Sequence, residues 1–328
     1  MSYRLMKWLN SRQNDYEYRT RRVVLKSFPT IVYVDPSNVC NLRCALCPSG
    51  QGKIPAPHGR MDMGLFKDVV SVLAPRARQL HVYNWGEPLL HPHIIEMLRF
   101  ARRFGPRIYL STNLNILKPG MAEELVNSGL DVLNASIDGI SQETYGKYRQ
   151  GGDLSKVIAN IRSLAEAKRK SQKSRLTIRW QYLVNRYNES EIPEARKMAR
   201  ELGVSFSTKK IRVGLDSFAD EGIEETAQKQ SEWLPENSKL NRYKREEKRL
   251  VCRHVWDRTI VNFNGGISPC CQIFEPKHFF SETFDGDFMK IWNGPAYTAA
   301  RRMFATGKIA SESERLVCRK CMELGNIL

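Results

Sequence analysis

Two hydrophobic periods alternate along most of the chain. After Pro29, IVYVDPSNVC is β-branched and extended in character, which predicts a strand running into a loop at Cys40. QLHVYNW (79–85) reads as a second strand, and HIIEMLRFARRF (93–104) as a helix with Ile94, Ile95, Leu98 and Phe104 inward. The alternation continues with strand RIYLSTN (107–113), helix MAEELVNSG (121–129) stopped by Gly129, and strand DVLNASID (131–138). Helix LSKVIANIRSLAEAKRK (154–170), strand RLTIRWQYLV (175–184), helix ESEIPEARKMARELG (189–203) and strand VSFSTKKIRV (204–213) complete it. Six strands separated by helices imply parallel β-α units with right-handed crossovers. The fold class is therefore α/β, a partial (β/α)6 TIM-like barrel followed by a small C-terminal cysteine-rich module. In such barrels the working loops sit at the carboxyl ends of the strands.

The pattern divides the chain into a basic N-terminal helix (1–27), the barrel (28–215), a charged linker (216–249) and the cysteine-rich module (250–328). The linker opens acidic (Asp216, Asp220, Glu221, Glu224, Glu225) and closes basic (Lys239, Arg242, Lys244, Arg245, Lys248, Arg249). The module begins with RTIVNFNGGISPCC, where NGG between two strand-like runs predicts a hairpin.

Composition narrows the class. The 328 residues are 41% hydrophobic, enough for a sizeable core. No apolar run approaches the ~18–20 residues that span a bilayer, and MSYRLMKWLNSRQ lacks a secretory core. The expected compartment is the cytoplasm, where eight cysteines point to metal ligands or redox groups rather than disulfides. The net charge of +17 fits an anionic partner: nucleic acid, a phosphorylated metabolite or an acidic membrane surface. The densest excess is in residues 1–27, seven Lys or Arg against Asp15 and Glu17; solvated surface charge explains it equally. With no helix-turn-helix, RRM or zinc-finger pattern, nucleic acid is not the expected partner.

The chemistry lies in the cysteines. NVCNLRCALCPS (38–49) carries Cys40, Cys44 and Cys47 at C-x3-C-x2-C spacing on the loop after the first strand. Thiolates are the standard ligands of iron–sulfur clusters, and three of them leave one iron of a four-iron cluster open. A zinc site would need a fourth ligand such as His58 or His81. This loop resembles the signature of the radical S-adenosylmethionine (AdoMet) superfamily. The resemblance implies a [4Fe–4S] cluster whose open iron binds the amino and carboxylate groups of AdoMet. Cleavage then gives a 5′-deoxyadenosyl radical, and a flavodoxin- or ferredoxin-type protein would supply the electron. Leu46 stands where the family usually has an aromatic residue near the adenine. NWGEP (84–88) resembles the family's Gly-Gly-Glu-Pro motif, with Trp85 replacing the first glycine. Gly86 and Glu87 would hold the AdoMet ammonium. By the same resemblance Ser111 and Asn113 lie near ribose and methionine, and Ser136 and Arg149 bind the carboxylate.

The remaining cysteines, Cys252, Cys270, Cys271, Cys318 and Cys321, have the spacing C-x17-C-C-x46-C-x2-C. Four of five can close one site, as an iron–sulfur cluster or a zinc knuckle. The hairpin, the Pro-Cys-Cys step, Ile291-Trp292-Asn293 and the final C-x2-C resemble the twitch form of the SPASM extension. The resemblance implies one auxiliary [4Fe–4S] cluster held by Cys252, Cys270, Cys318 and Cys321. Cys271 is left as a small apolar residue, a hydrogen-atom donor or an alternative ligand.

Relatives with this layout use the second cluster as an electron acceptor in oxidising alcohols of aminocyclitols or sugars, or they modify peptides. Only 39 residues precede Cys40, fewer than a leader-recognition domain needs, so a small polar substrate (sugar, nucleotide sugar or aminocyclitol) is expected. Tyr83, Trp85 and Gln181 are candidates to line its cavity, with Asn84 and Tyr182 beside them. Lys209, Lys210 and Arg212 could dock an anionic group or form a solvated rim. The other readings are peptide modification, dehydration, decarboxylation or epimerisation, RNA modification, and a non-enzymatic metal-binding module.

Overall fold

The computed structural model describes residues 2–171, 174–213, 230–244, 252–313 and 316–323. The acidic half of the linker (Asp216–Glu225) and its closing Arg245, Lys248 and Arg249 lie outside the described residues.

After an N-terminal helix α1 (Tyr3–Arg19), strand β1 (Ile31–Val34) opens the sheet, and helix α2 (Met63–Leu73) leads to β2 (Gln79–His81). Then come α3 (Ile94–Arg102), β3 (Arg107–Thr112), α4 (Met121–Val126) and β4 (Val132–Ser136). Helices α5 (Gln142–Tyr148) and α6 (Leu154–Lys170), β5 (Thr177–Val184), α7 (Ile192–Glu201) and β6 (Ser205–Lys210) complete the series. Each of the six strands pairs in parallel with its neighbour in sequence. This is the expected partial barrel.

The sheet does not end there. β7 (Arg258–Val261) pairs in parallel with β1, Tyr33 opposite Ile260, and β8 (Ile267–Ser268) pairs antiparallel with β7. The full order is β6-β5-β4-β3-β2-β1-β7-β8. The NGG hairpin forms as expected, with Gly265 at φ +88° in its turn, a conformation glycine adopts without strain. Its first strand also extends the barrel sheet and so joins the cysteine-rich module to β1.

Strand β5 shows why the barrel interior is a site rather than a packed core. Ile178, Trp180, Tyr182 and Val184 are buried, while the alternate Thr177, Arg179, Gln181 and Leu183 are half-buried. Register sets Ser111 beside Asn134 and Arg179, and Ser136 beside Gln181 and Ser207. The inner face is thus lined with hydroxyl, amide and guanidinium groups. The buried set joins a large apolar core with Phe66, Val69, Val70, Leu73, Ile161 and Leu164.

Several elements differ from expectation. β2 stops at His81, and residues 84–90 turn over the barrel mouth. Phe104 is only half-buried because α3 ends at Arg102; Met97 and Ala101 complete its inner face instead. The sequence reading did not include α2. Asp62 caps it by accepting from the N–H groups of Gly64 and Leu65 (2.7 and 3.3 Å).

Candidate active site

The loop after β1 carries Cys40, Cys44 and Cys47, and contacts from other strand ends fold it. Arg43 and Ala45 donate their N–H groups to the carbonyls of Gln150 and Tyr148 at the end of α5 (2.9 and 3.0 Å). Ser49 donates to the Trp85 carbonyl (2.5 Å). Gly50 lies against the Cys44 backbone; a Cβ there would meet the Cys44 nitrogen at 2.4 Å. Leu42, Cys44 and Leu46 are buried in a small apolar cluster with Tyr148, Ile211 and Val213, so Leu46 is part of the loop's own packing. Burial raises the Cys40 thiol and pushes Cys44 up to about 12, opposed by Arg149.

Gly86 is required by close approach. A Cβ would fall 1.9 Å from the Ser37 carbonyl oxygen, and Glu87 donates its N–H to the Val39 carbonyl (2.9 Å). The loops after β1 and β2 therefore touch backbone to backbone. The Glu87 carboxylate is buried and accepts from the Thr112 hydroxyl (2.7 Å), the Asn113 N–H (2.7 Å) and the Leu89 N–H (3.0 Å). Burial raises its pKa while these donors oppose the rise. Here Glu87 clamps the loops after β2 and β3. Asn113 extends the clamp: its Nδ2 donates to Asn41 Oδ1 (2.9 Å) and lies 3.8 Å from Cys40 Sγ. Arg149 reaches the cysteines from the other side. Its Nε donates to Asp138 (2.6 Å) and its Nη1 lies 3.7 Å from Cys44 Sγ. Asp138 is fully buried and also accepts from the Leu183 N–H (2.7 Å). Ser111 and Ser136 face each other at 3.5 Å.

The expected lining residues separate in the structure. Tyr83 hydrogen-bonds His81 Nδ1 (3.1 Å), and His81 stacks between Tyr33 and Tyr109 with centroids 4.2 and 4.6 Å apart. This places His81 in an aromatic layer, with Nε2 bonded to Gln79 (3.1 Å), so it does not serve the cysteine loop as a fourth ligand. Burial lowers its pKa to about 3, which keeps it neutral. His58 is exposed. Trp85 docks on the C-terminal module: Nε1 donates to the Ile273 carbonyl (3.2 Å) and the ring meets Phe274 edge-on at 5.4 Å. The tryptophan in the family's glycine position is thus a strut between barrel and module. Gln181 is half-buried on the inner face. Lys209 reaches solvent yet is walled by protein, and that burial lowers its ammonium pKa. Lys210 donates to the Lys239 carbonyl at the rim.

Cys252, Cys270, Cys318 and Cys321 all line one cavity; its walls include Val255, Ile273, Phe304 and Val317. Cys271 is not among the lining residues. Burial raises all four thiols, to about 11 for Cys252 and about 12 for Cys270. Among the described residues no three His, Cys, Asp or Glu side chains close on a single metal-ion position. His254 also lines the cavity, and its Nδ1 is inaccessible and unpartnered. Arg212, at the end of β6, has unpartnered Nε and Nη1, and its charge acts on Cys270, Cys321 and His254. The sequence reading missed Asp138, although SIDG displays it, and His254, which lies two residues after Cys252.

Comparison with known proteins agrees with this layout. Residues 34–199 match the profile of the Radical SAM superfamily, and residues 252–322 match SPASM, an iron-sulfur cluster-binding domain. An AdoMet-dependent heme synthase of Methanosarcina barkeri is 27% identical over 182 residues, 55% of this chain and 50% of that protein. The chain spans about half the length or less of the curated relatives it matches. The structure of BtrN in complex with AdoMet and 2-DOIA superposes with a TM-score of 0.54 at 16% identity, covering 86% of this chain and 89% of that one. Streptococcus suis SuiB bound to precursor peptide SuiA gives 0.59 at 18%, covering 89% and 71%. At such identities the solved structures establish the fold.

Proposed function

Since the chain belongs to the radical SAM superfamily and carries a SPASM domain, we propose that it oxidises a small polar substrate, a sugar, nucleotide sugar or aminocyclitol, by hydrogen-atom abstraction. A [4Fe–4S] cluster, AdoMet and an auxiliary iron–sulfur cluster are the cofactors these two domains imply. The donor sets fit them: three thiols on one loop beside a polar barrel interior, and four thiols around one apolar cavity. Bound at the loop, cluster and AdoMet supply the radical that takes hydrogen from substrate.

This chain's own residues bind, orient and exclude water. Cys40, Cys44 and Cys47 hold the open cluster, and Cys252, Cys270, Cys318 and Cys321 the closed one. The backbone at Gly86, the Ser111 and Ser136 hydroxyls and the free donors of Arg149 hold AdoMet, while Glu87 and Asn113 fix the loops around it. Gln181 and Lys209 face the substrate, and the lysine favours an anionic one. A flavodoxin- or ferredoxin-type protein delivers the electron, and eight cysteines outside any disulfide fit a reducing cytoplasm.

The observation that carries the reading is the division of seven cysteines into three on the loop after β1 and four lining one apolar cavity. Anaerobic reconstitution tests it. The expected result is about eight irons per chain, AdoMet cleavage after dithionite reduction, and carbonyl formation on an aminocyclitol or sugar alcohol. A zinc-filled C-terminal module, or a mass change on a co-expressed peptide with no turnover of any sugar, overturns the oxidation reading.

A further inference from the structure

Helix α1 carries its polarity reversed. Its inward face is polar: Lys7, Asn10, Asn14 and Glu17 are buried. Asn10 donates to the carbonyls of Phe28 and Arg76 (3.0 and 3.2 Å) and accepts the Phe28 N–H (2.8 Å). Asn14 donates to the Ser27 hydroxyl (3.0 Å) and the Trp256 carbonyl (2.5 Å). Glu17 accepts from the N–H groups of Lys26 and Ser27 and from the Ser27 hydroxyl (2.7, 3.2 and 2.5 Å). Together these bonds fix the helix's rotation about its own axis. Rolling it to bury its other face would strand several buried polar groups, at about 1–3 kcal/mol each.

The opposite face is therefore held outward, and it is apolar. Tyr3, Leu5, Trp8, Leu9 and Tyr16 are 42–55% exposed, with Val24 beyond them. Of the seven large apolar side chains exposed among the described residues, six lie between residues 3 and 24. Leu5, Trp8, Leu9, Arg12 and Tyr16 follow helical spacing along one stripe. A helix serving only as a cover for the barrel would show the reverse pattern. The charge around the stripe has one sign. Arg4, Arg12, Arg19 and Arg22 are exposed, whereas Asp15 is paired with Arg253 and Glu17 is buried.

We infer that α1 docks the protein on the surface of an anionic lipid bilayer, lying in the interface with Leu5, Trp8, Leu9 and Tyr16 toward the acyl chains and its arginines among the headgroups. Trp and Tyr mixed with Leu favour the water–hydrocarbon boundary, and arginine gives attraction to acidic lipid. The one-signed charge favours such a surface over a neutral protein groove. The attachment is peripheral: among the described residues no helix is long and apolar enough to cross a membrane.

The test is sedimentation of the reconstituted full chain with vesicles of phosphatidylcholine alone or mixed with phosphatidylglycerol. The wild type is expected to bind the mixed vesicles at least about tenfold more tightly, with affinity falling as salt rises. Leu5→Ser/Trp8→Ser/Leu9→Ser should lower that affinity about tenfold or more, and Arg4→Gln/Arg12→Gln should weaken binding to the mixed vesicles alone. Iron content and melting temperature should match wild type in both variants, because the changed side chains are exposed. Wild type that stays in the supernatant with both vesicles at low salt overturns the inference. So does a triple variant that binds as wild type does, which would assign binding to charge elsewhere. A wild type that ignores vesicles but dimerises in solution, with a monomeric triple variant, would give the face to a second copy of the chain.

Discussion

The three-cysteine loop and the four-cysteine cavity differ in what surrounds the sulfur. Around Cys40, Cys44 and Cys47 an apolar cluster (Leu42, Leu46, Tyr148, Ile211, Val213) packs one side, and polar supports come from several strand ends: Asn113 after β3, Asp138 and Arg149 after β4, and the Gly86 backbone after β2. Around Cys252, Cys270, Cys318 and Cys321 the walls are apolar, from Val255, Ile273, Phe304 and Val317. A site that must admit and release a charged cofactor needs polar groups and an open side. On the proposed electron-accepting role, apolar walls suit the second site by limiting solvent access to its cluster. Both bury thiols with raised pKa values, so in both cluster assembly must remove protons that burial holds in place.

The comparison breaks most visibly by deleting one site at a time. Replacing Cys40, Cys44 and Cys47 together by Ala should abolish AdoMet cleavage and lower iron from about eight to about four per chain. Residual cleavage above the level of heat-killed enzyme would mean the loop is not the site. Cys318→Ala should do the reverse, leaving AdoMet cleavage while substrate turnover disappears. Turnover that persists without the second cluster would rule out its role as electron acceptor.

Next in size is Gly86→Ala. The added methyl would sit 1.9 Å from the Ser37 oxygen, so the loops after β1 and β2 must part. A displacement near 1 Å should cost about 10²-fold in cleavage rate, with the iron count unchanged. A normal rate would show that the two loops move apart without consequence.

Much of this architecture was legible in the sequence. Periodicity located all six barrel strands and gave α6 its observed bounds, because a strand or helix half-buried against one core repeats its pattern locally. The pairing of β7 with β1 was not legible. Nothing local marks contact between segments more than two hundred residues apart. Glu87 and Asn113 were expected as cofactor contacts from motif position alone, and the Glu87 clamp depends in part on the backbone N–H groups of Asn113 and Leu89, which no side-chain pattern reports. Trp85 was expected in the substrate cavity as an aromatic at a strand end; its partner Ile273 belongs to the other module. The reversal of α1 escaped because composition registers basic residues, not which face they occupy.

Trp85 separates the two regions more gently. Trp85→Gly restores the family's glycine and removes the bond to Ile273 and the edge contact with Phe274. Because Trp85 is half-buried, the expected loss is below the about 3–5 kcal/mol of a core tryptophan, read as a lower melting temperature and looser docking of residues 252–313 in hydrogen exchange. AdoMet cleavage should fall less than for Gly86→Ala, since Gly86 and its contacts remain.

The smallest effect concerns the electronics of the closed site. His254 brings an unpartnered ring nitrogen to the four-cysteine cavity, and Arg212 brings unpartnered N–H groups and a positive charge that acts on Cys270 and Cys321. Donors and positive charge near a cluster stabilise its reduced, more negative form and raise its potential. Arg212→Gln and His254→Phe should each lower the auxiliary cluster's midpoint by up to about 59 mV, a tenfold change in a one-electron equilibrium. Titration followed by electron paramagnetic resonance reads this without any turnover. The loop cluster should shift less in both variants, because the cation acting on Cys40 and Cys44 is Arg149, whereas Arg212 acts on Cys270 and Cys321. A shift in the loop cluster alone would reverse the assignment of Arg212 and tie the end of β6 to the radical site.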